Sequence, residues 1–314
     1  MKARILGSIL LSAFSPASAA AQQSQQNRPP IIDVHVHAYS KDERWTNRTP
    51  NPVTGQAMTA TTEEAHMRAS LAQMRKYNVK AFVVSNDYQT ILRWKAAAPE
   101  RIVASYGFDD PSTADLEFIR REHAAGRLGA LGELGLPYGG VAPNDPQMEP
   151  YWALAEELDI PVGLHTGLAP SNTPYRCCPK FRTSLGSPAL LEEVLVRHPK
   201  LRVYLMHAGF PYLQETIAIL HMYPQVYADL GAIDWLRPRE AFHEYLRALV
   251  RNGLGKQLMF GSDQMVWPEG IGLAIEGIES AKFLTQEQKR DILYNNAVRF
   301  LPLDEKALRL NSSR

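Results

Sequence analysis

Little in this chain is extreme, and what it lacks narrows the field. Cysteine is nearly absent: there are two in 314 residues, and they are neighbours, Cys177 and Cys178. One adjacent pair makes no disulfide framework, so a buried core must hold the fold. The pair itself is open between a vicinal bridge, a metal-sensitive thiol pair and two free thiols; we read it as a loop feature without a catalytic role. Charge excess is missing too, with 34 Lys and Arg against 33 Asp and Glu and no basic run. Such a balance gives no footprint for nucleic acid, which is not expected as a partner. Beyond the N-terminal segment no apolar run reaches the roughly 18 residues that span a bilayer. Nor does a glycine-rich phosphate turn follow the first strand; His37-Ala38-Tyr39 stands there instead, which argues against an open nucleotide-binding sheet.

The start of the chain has a different character. Lys2 and Arg4 precede an apolar run from Ile5 to Phe14, then small residues from Ser15 to Ala21 with an exit at Ala17-Ser18-Ala19. That order describes a secretory signal peptide over 1–21, too short to remain as a membrane span. A disordered or buried start of a cytosolic protein is the blander reading. The mature protein is therefore expected to be exported, periplasmic or secreted, with no membrane attachment once the signal is removed. Its loss moves the formal charge from +1 to about −1. Residues 22–30 read as a polar linker, 31–303 as a single domain and 304–314 as a C-terminal tail.

Strand-like and helix-like segments alternate through that domain. Apolar runs at 31–37, 79–84, 102–106, 128–134, 160–165, 202–207, 226–230 and 257–262 predict strands. Helical patterns fall at 61–77, 88–98, 112–125, 147–158, 187–198, 211–222 and 238–252, with further stretches near 270–282 and 286–300. Thr61 to Glu64 and Thr285 to Gln288 read as capping boxes, and Ser112 with Asp115 as a weaker one. Pro238 suits a helix start, and Asn78, Gly126 and Gly253 suit left-handed helix ends. Eight strands separated by helices predict an α/β fold, a (β/α)₈ TIM barrel, with its site at the C-terminal ends of the strands. Two connections, 38–60 and 166–186, are long enough to be binding loops.

Four patches end an apolar run in a metal-binding side chain: DVHVH at 33–37, GLHTG at 163–167, LMHAG at 205–209 and FGSD at 260–263. With nine His in the chain a lone H-x-H carries little weight; the repetition carries the signal. Strict alternation places His35 and His37 on the barrel side, with Ile32, Val34 and Val36 against the helices. The same alternation aims His165, His207 and Asp263 at the mouth. Imidazole plus carboxylate suits a divalent ion, Zn²⁺ first, Mn²⁺ or Fe²⁺ if the site is larger and richer in oxygen. Glu133, in ALGELGL, either bridges two ions or orients a ligand imidazole. Asp33 and Asp229 are candidates to support ligands or to serve structure. His66, His123, His198, His221 and His243 fall on predicted helices away from the mouth.

Taken together, DVHVH, the lone His after strands five and six, GSD after strand eight and the closing NNAVRFL helix resemble the amidohydrolase superfamily over residues 30 to 303. The nearest likeness is to its amidohydrolase-related branch, while GELGL is similar to the TatD-like hydrolases. The resemblance implies that His35, His37, His165 and Asp263 bind metal. It implies that His207 is a ligand of a second ion or a free acid or base. No Lys stands at the strand-four position where many binuclear relatives carry a carboxylated lysine; Glu133 could substitute.

The leading expectation is a metal-dependent hydrolase of C–O or C–N bonds in a small lactone, ester or amide. Asp263 would take the proton of water, and His207 would bind a second ion or stabilise an oxyanion. The alternative, from the same resemblance, is a metal-dependent non-oxidative decarboxylase or hydratase. A third reading, an exported binding module with a degenerate site, sits poorly with an intact ligand set, and a TatD-type nuclease with the missing basic excess. Substrate contacts are expected from Arg44 and Trp45 in the first long loop, Arg176 and Arg182 in the fifth, and Trp267 after strand eight. Tyr39, Arg48, Tyr175, Trp235 and Arg237 lie in the same loops. Aromatic faces with guanidinium groups suit a planar or carboxylated molecule, unless they merely close the loops over the barrel. Oligomeric state is left open between monomer and homo-oligomer.

Overall fold

Short apolar strands cannot bury themselves, and here each is followed by a helix that covers its outer side. The computed structural model describes residues 28–303. The signal segment 1–21, linker residues 22–27 and the tail 304–314 lie outside the described residues. Eight strands form one parallel sheet in chain order: β1 (Ile31–Ala38), β2 (Val79–Asn86), β3 (Ile102–Phe108), β4 (Ala130–Leu134), β5 (Val162–His165), β6 (Val203–Met206), β7 (Tyr227–Asp229) and β8 (Leu258–Met259). The seam between β8 and β1 is bridged by Val34 N–H donating to Phe260 O at 3.0 Å and Asp263 N–H donating to His35 O at 2.8 Å. This is the (β/α)₈ TIM barrel that the alternation of segments predicts.

Two apolar layers hold it. Inside the barrel, Ile32, Val34, Ala81, Val83, Ala130, Tyr204, Met206 and Met259 pack together, with Phe300 of the closing helix and Leu301 just after it at one end. Outside, Ile31, Val36, Trp94, Trp152 and Phe242 belong to the larger cluster between strands and helices. Among the described residues no helix is long and apolar enough to cross a membrane.

Strict alternation along β1 is corrected here. Ile32 and Val34 face the barrel interior, not the helices, and only Val36 packs outward. The cause is a bulge: Asp33 pairs with Phe82 and Val36 with Val84, three steps on β1 against two on β2. A bulge changes the phase of the side chains, and this one lets His35 and His37 turn to the mouth above Ile32 and Val34.

Helix boundaries follow capping side chains. The Thr285 box is present in both directions. At the first long helix, α1 (Glu63–Lys76), the cap is Thr62 rather than Thr61, with its side chain accepting from Ala65 N–H. The helix expected at 112–125 begins later, at Leu116. Asp115 is itself the cap, and Asp110 caps a separate turn at Pro111–Thr113. Strand eight is shorter than 257–262. After Met259 the backbone leaves β7: Phe260 N–H donates to Ile292 O at 2.8 Å, and its C=O turns to Val34. Ile292 lies in a wider, π-type turn (Asp291–Asn295) that interrupts the last helix, as a carbonyl drawn to an outside donor would require. Asn78, Gly126 and Gly253 take the left-handed conformation expected of them.

Candidate metal centre

The ligand-type residues converge. His35 and His37 lie at the end of β1, Glu133 on β4 and His165 at the last position of β5. His207 and Asp263 follow their strands rather than continuing them. Both have left-handed backbones, φ 60° and 43°, so local kinks aim them, not strand alternation. Close approach is built in as well: a Cβ on Gly261 would stand 2.7 Å from His35 Cβ.

Glu133 sits at the centre. Its Oε2 is 3.4 Å from His37 Nε2 and 3.6 Å from His35 Nε2, while Oε1 is 2.5 Å from His165 Nδ1 and 3.6 Å from His207 Nε2. Asp263 closes the first group, with Oδ1 2.9 Å from His37 Nε2 and 3.9 Å from His35 Nε2. Two ligands about 2.0–2.1 Å from one tetrahedral Zn²⁺ stand about 3.3 Å apart, in the middle of this range. Among the described residues, three sets bring one ligand atom each within 4.8 Å of one another: His35, His207 and Asp263; His35, His37 and Glu133; Glu133, His165 and His207.

The surroundings hold the rings. His35 Nδ1 meets Asp229 Oδ2 at 3.0 Å, and Asp229 Oδ1 accepts from His207 N–H at 3.1 Å and Gly231 N–H at 2.7 Å. His207 Nδ1 donates to Gly231 O at 2.9 Å, and His37 Nδ1 donates to Asn86 Oδ1. Each Nδ1 contact leaves an Nε2 facing the cluster. Asp33 accepts from His35 N–H and Ser262 N–H, so it serves the backbone, while Asp229 supports ligand side chain and backbone alike.

The cluster's own charges keep its carboxylates ionised. Burial alone would raise Glu133, yet hydrogen bonds from His165, His207 and His35 hold it well below the usual carboxylate range. Burial is likewise outweighed at Asp263, which the charges of His35 and His37 bring down to about 2. His35 is raised well above the ordinary imidazole value by Asp229 and Asp263 against burial, and His207 is raised by Glu133. Burial lowers His165, which favours a neutral imidazole. His35 Nε2, His165 Nε2 and Asp263 Oδ1 are buried without hydrogen-bond partners. Each orphan costs about 1–3 kcal/mol, and a divalent ion would satisfy His35 Nε2 and Asp263 Oδ1, 3.9 Å apart, together. The donor set fits the group.

The expected substrate contacts are placed differently from one another. Arg44 gives Nε and Nη2 to the Asp42 carboxylate, at 2.8 and 2.7 Å, and lies between the rings of Tyr39 and Trp267. Its fork is therefore engaged within the loop. Trp45 and Trp267 are buried at 5% and 6% exposure; Trp45 packs on His66, and Trp267 donates to Thr49 O. Trp45 and Trp267 thus support the first loop, while the Arg44 side chain stays partly exposed beside them. Arg182 donates to Pro179 O and Phe181 O. Arg176 is exposed, 3.7 Å from Glu43 of the first loop. Cys177 and Cys178 form a vicinal disulfide in the same fifth loop.

Sequence reasoning missed Asn86, Tyr138 and Gln264. Asn86 ends a strand and Tyr138 follows one, a position that could have marked both. Tyr138 packs on His165 with ring centroids 4.9 Å apart. His66, placed among the bland histidines, is buried between Tyr39, Trp45 and Trp94, with Nε2 donating to Met265 O at 2.9 Å. Burial lowers it to about 4.

A parallel barrel with a His- and carboxylate-lined mouth defines a class of metal-dependent enzymes. The amidohydrolase family model matches residues 32–303, and the chain belongs to that family. Protein fluG of Emericella nidulans is 24% identical over 160 residues, 46% of this chain; the match spans only 18% of that longer protein. An uncharacterized TIM-barrel protein of Bordetella bronchiseptica superposes with a TM-score of 0.66 at 18% identity, covering 91% of this chain and 100% of the other. A probable 2-pyrone-4,6-dicarboxylic acid hydrolase of Acinetobacter baumannii, with citric acid bound, gives 0.59 at 18% identity over 86% and 98%. 2,6-Dihydroxybenzoate decarboxylase from Rhizobium gives 0.58 at 13% identity over 90% and 99%. These likenesses establish the fold.

Proposed function

We propose that this chain is a metal-dependent hydrolase of C–O or C–N bonds in small organic molecules. One observation carries the reading: the two oxygens of Glu133 are divided between His35 with His37 and His165 with His207. A carboxylate so placed could help hold two cations, and a paired site would suit attack by water better than proton shuffling on a single ion. Zn²⁺ is our first choice for the nitrogen-rich set, Mn²⁺ or Fe²⁺ the second.

A bound divalent ion would supply acidity to water near neutral pH and polarise the carbonyl or ester oxygen under attack. Asp263 takes the proton of the attacking water and returns it to the leaving group. Glu133 keeps the two imidazole pairs apart and aligned, and Asp229 holds the His35 ring so that Nε2 faces the reaction. His207, its Nδ1 fixed on Gly231 O, keeps Nε2 turned to Glu133 and would help hold the second ion. Tyr138 packs on the His165 ring.

The A. baumannii neighbour is named for hydrolysing a pyrone, so lactones are the first substrates to test, followed by esters and amides. The purified protein should contain one or two divalent ions per chain, lose lactone hydrolysis on chelation and regain it with Zn²⁺ or Mn²⁺. Release of CO₂ from hydroxybenzoates, unaffected by Glu133→Gln, would replace this reading with the decarboxylase one. We also propose that the protein is exported; N-terminal sequencing that finds Met1 on the mature chain would overturn that.

A further inference from the structure

The seam between β8 and β1 closes the barrel, and three of its ligand-type residues, His35, His37 and Asp263, lie along it. Two rungs are backbone to backbone, Val34 N–H to Phe260 O and Asp263 N–H to His35 O. A third is mixed, with Ser262 N–H donating to Asp33 Oδ1 at 2.9 Å. The last is made by a side chain. Gln264 Oε1 accepts from His37 N–H at 3.0 Å, and Gln264 Nε2 donates to His37 O at 2.9 Å.

A primary amide carries a donor and an acceptor as a peptide group does, so it can complete both bonds of a ladder rung. It is needed because the backbone turns away: Asp263 and Met265 take left-handed conformations, φ 43° and 49°. Gln264 is fully buried, so no water can replace it at His37. It is covalently next to one ligand-type residue and holds both backbone groups of another, and their ligand atoms stand 2.9 Å apart.

We propose that Gln264 is a positioning residue: its amide clamp on His37 sets the spacing of His37 and Asp263, and with it the cation affinity of that half of the site. The proposal rests on the metal-binding reading given above. It assigns no contact between Gln264 and an ion. Losing the clamp leaves a buried N–H and C=O unpaired and frees the end of β1 from the loop that carries Asp263.

Full-length metal-free protein, wild type, Gln264→Met and Gln264→Asn, would be titrated with Zn²⁺ against a chromophoric chelator. Methionine keeps the length and loses the amide; asparagine keeps the amide and falls one carbon short. The tighter Zn²⁺ step should weaken about 10- to 100-fold in both, as when a ligand's supporting partner is removed. The weaker step, at Glu133, His165 and His207, should hold, and the d–d bands of Co²⁺ in the tight site should shift. Zn²⁺ binding like wild type in either folded variant, or equal loss of both steps, overturns the clamp. A wild type that takes up no Zn²⁺ at all would instead sink the metal reading and this inference with it. If neither variant folds, hydrogen exchange at the wild-type His37 amide decides: slower exchange on Zn²⁺ loading supports the clamp, and unchanged exchange refutes it.

Discussion

The two halves of the site are built to different standards. Around His35, His37 and Asp263 the rings are held from behind: Asp229 engages His35 Nδ1 and Asn86 engages His37 Nδ1. Around His165 and Glu133 the arrangement is largely mutual. His165 turns Nδ1 to Glu133, and its Nε2 has no partner. Only His207 is anchored there, through Gly231 O. A ring fixed by a second partner is already aimed before the ion arrives, whereas a ring held only by its fellow ligands must be aimed by the ion. The difference teaches that the site should load in order, first half tightly and second half weakly.

The largest expected effect tests the catalytic end of the first half. Asp263→Asn should lower kcat about 10²- to 10⁴-fold, the range for loss of a general base, measured on the best lactone substrate. A smaller loss would move proton transfer to another group. Glu133→Gln sharpens the comparison, because it should abolish the weaker ion by elemental analysis and only loosen the tighter one, which keeps His35, His37 and Asp263. Its kcat should fall about a hundredfold or more, since a second ion supplies several kcal/mol of charge stabilisation. Asp229→Asn would blur the two halves, for Asp229 touches the His35 ring and the His207 backbone together. Both Zn²⁺ steps should weaken, the tight one about 10- to 100-fold; an effect confined to one step would show that the halves are independent.

A pH test separates the first half's loops from its ligands. His66 is lowered from 6.5 to about 4 by burial, so the fold keeps it neutral while the unfolded chain protonates it. Stability from this group is complete above about pH 6.5 and is lost as pH falls toward about 4, amounting to about 3 kcal/mol. Thermal melts of His66→Gln should therefore lose part of the acid sensitivity of wild type between those limits. The smallest effect concerns Arg176, the exposed cation of the fifth loop. Arg176→Ala should raise KM a few-fold and leave kcat nearly unchanged; identical kinetics on the true substrate would remove it from the binding surface.

Much of this was legible beforehand because strand ends announce themselves. His35, His37, Glu133 and His165 each close an apolar run, and the barrel brings the ends of its strands to one face. What was misread has physical causes. The bulge in β1 hides in the sequence, since nothing in IIDVHVH says that Asp33 to Val36 spans two partners on β2. For Arg44 and Trp267, expected as substrate contacts from their place in the loops, the structure adds the partners Asp42 and Thr49, which loop composition does not record. His66 looked bland on its helix because the rings that bury it come from β2's following helix and from the first loop.

Local pattern alone determined the alternation of strand and helix, the family and the kinds of ligand, for each depends on residues adjacent in the chain. Tertiary structure decided which oxygen of Glu133 faces which imidazole, that Asp229 and Asn86 hold the rings, and that Gln264 stands in for a missing strand rung. Those contacts join residues tens to hundreds of positions apart, and no local spacing records them. They exist only once the barrel has closed.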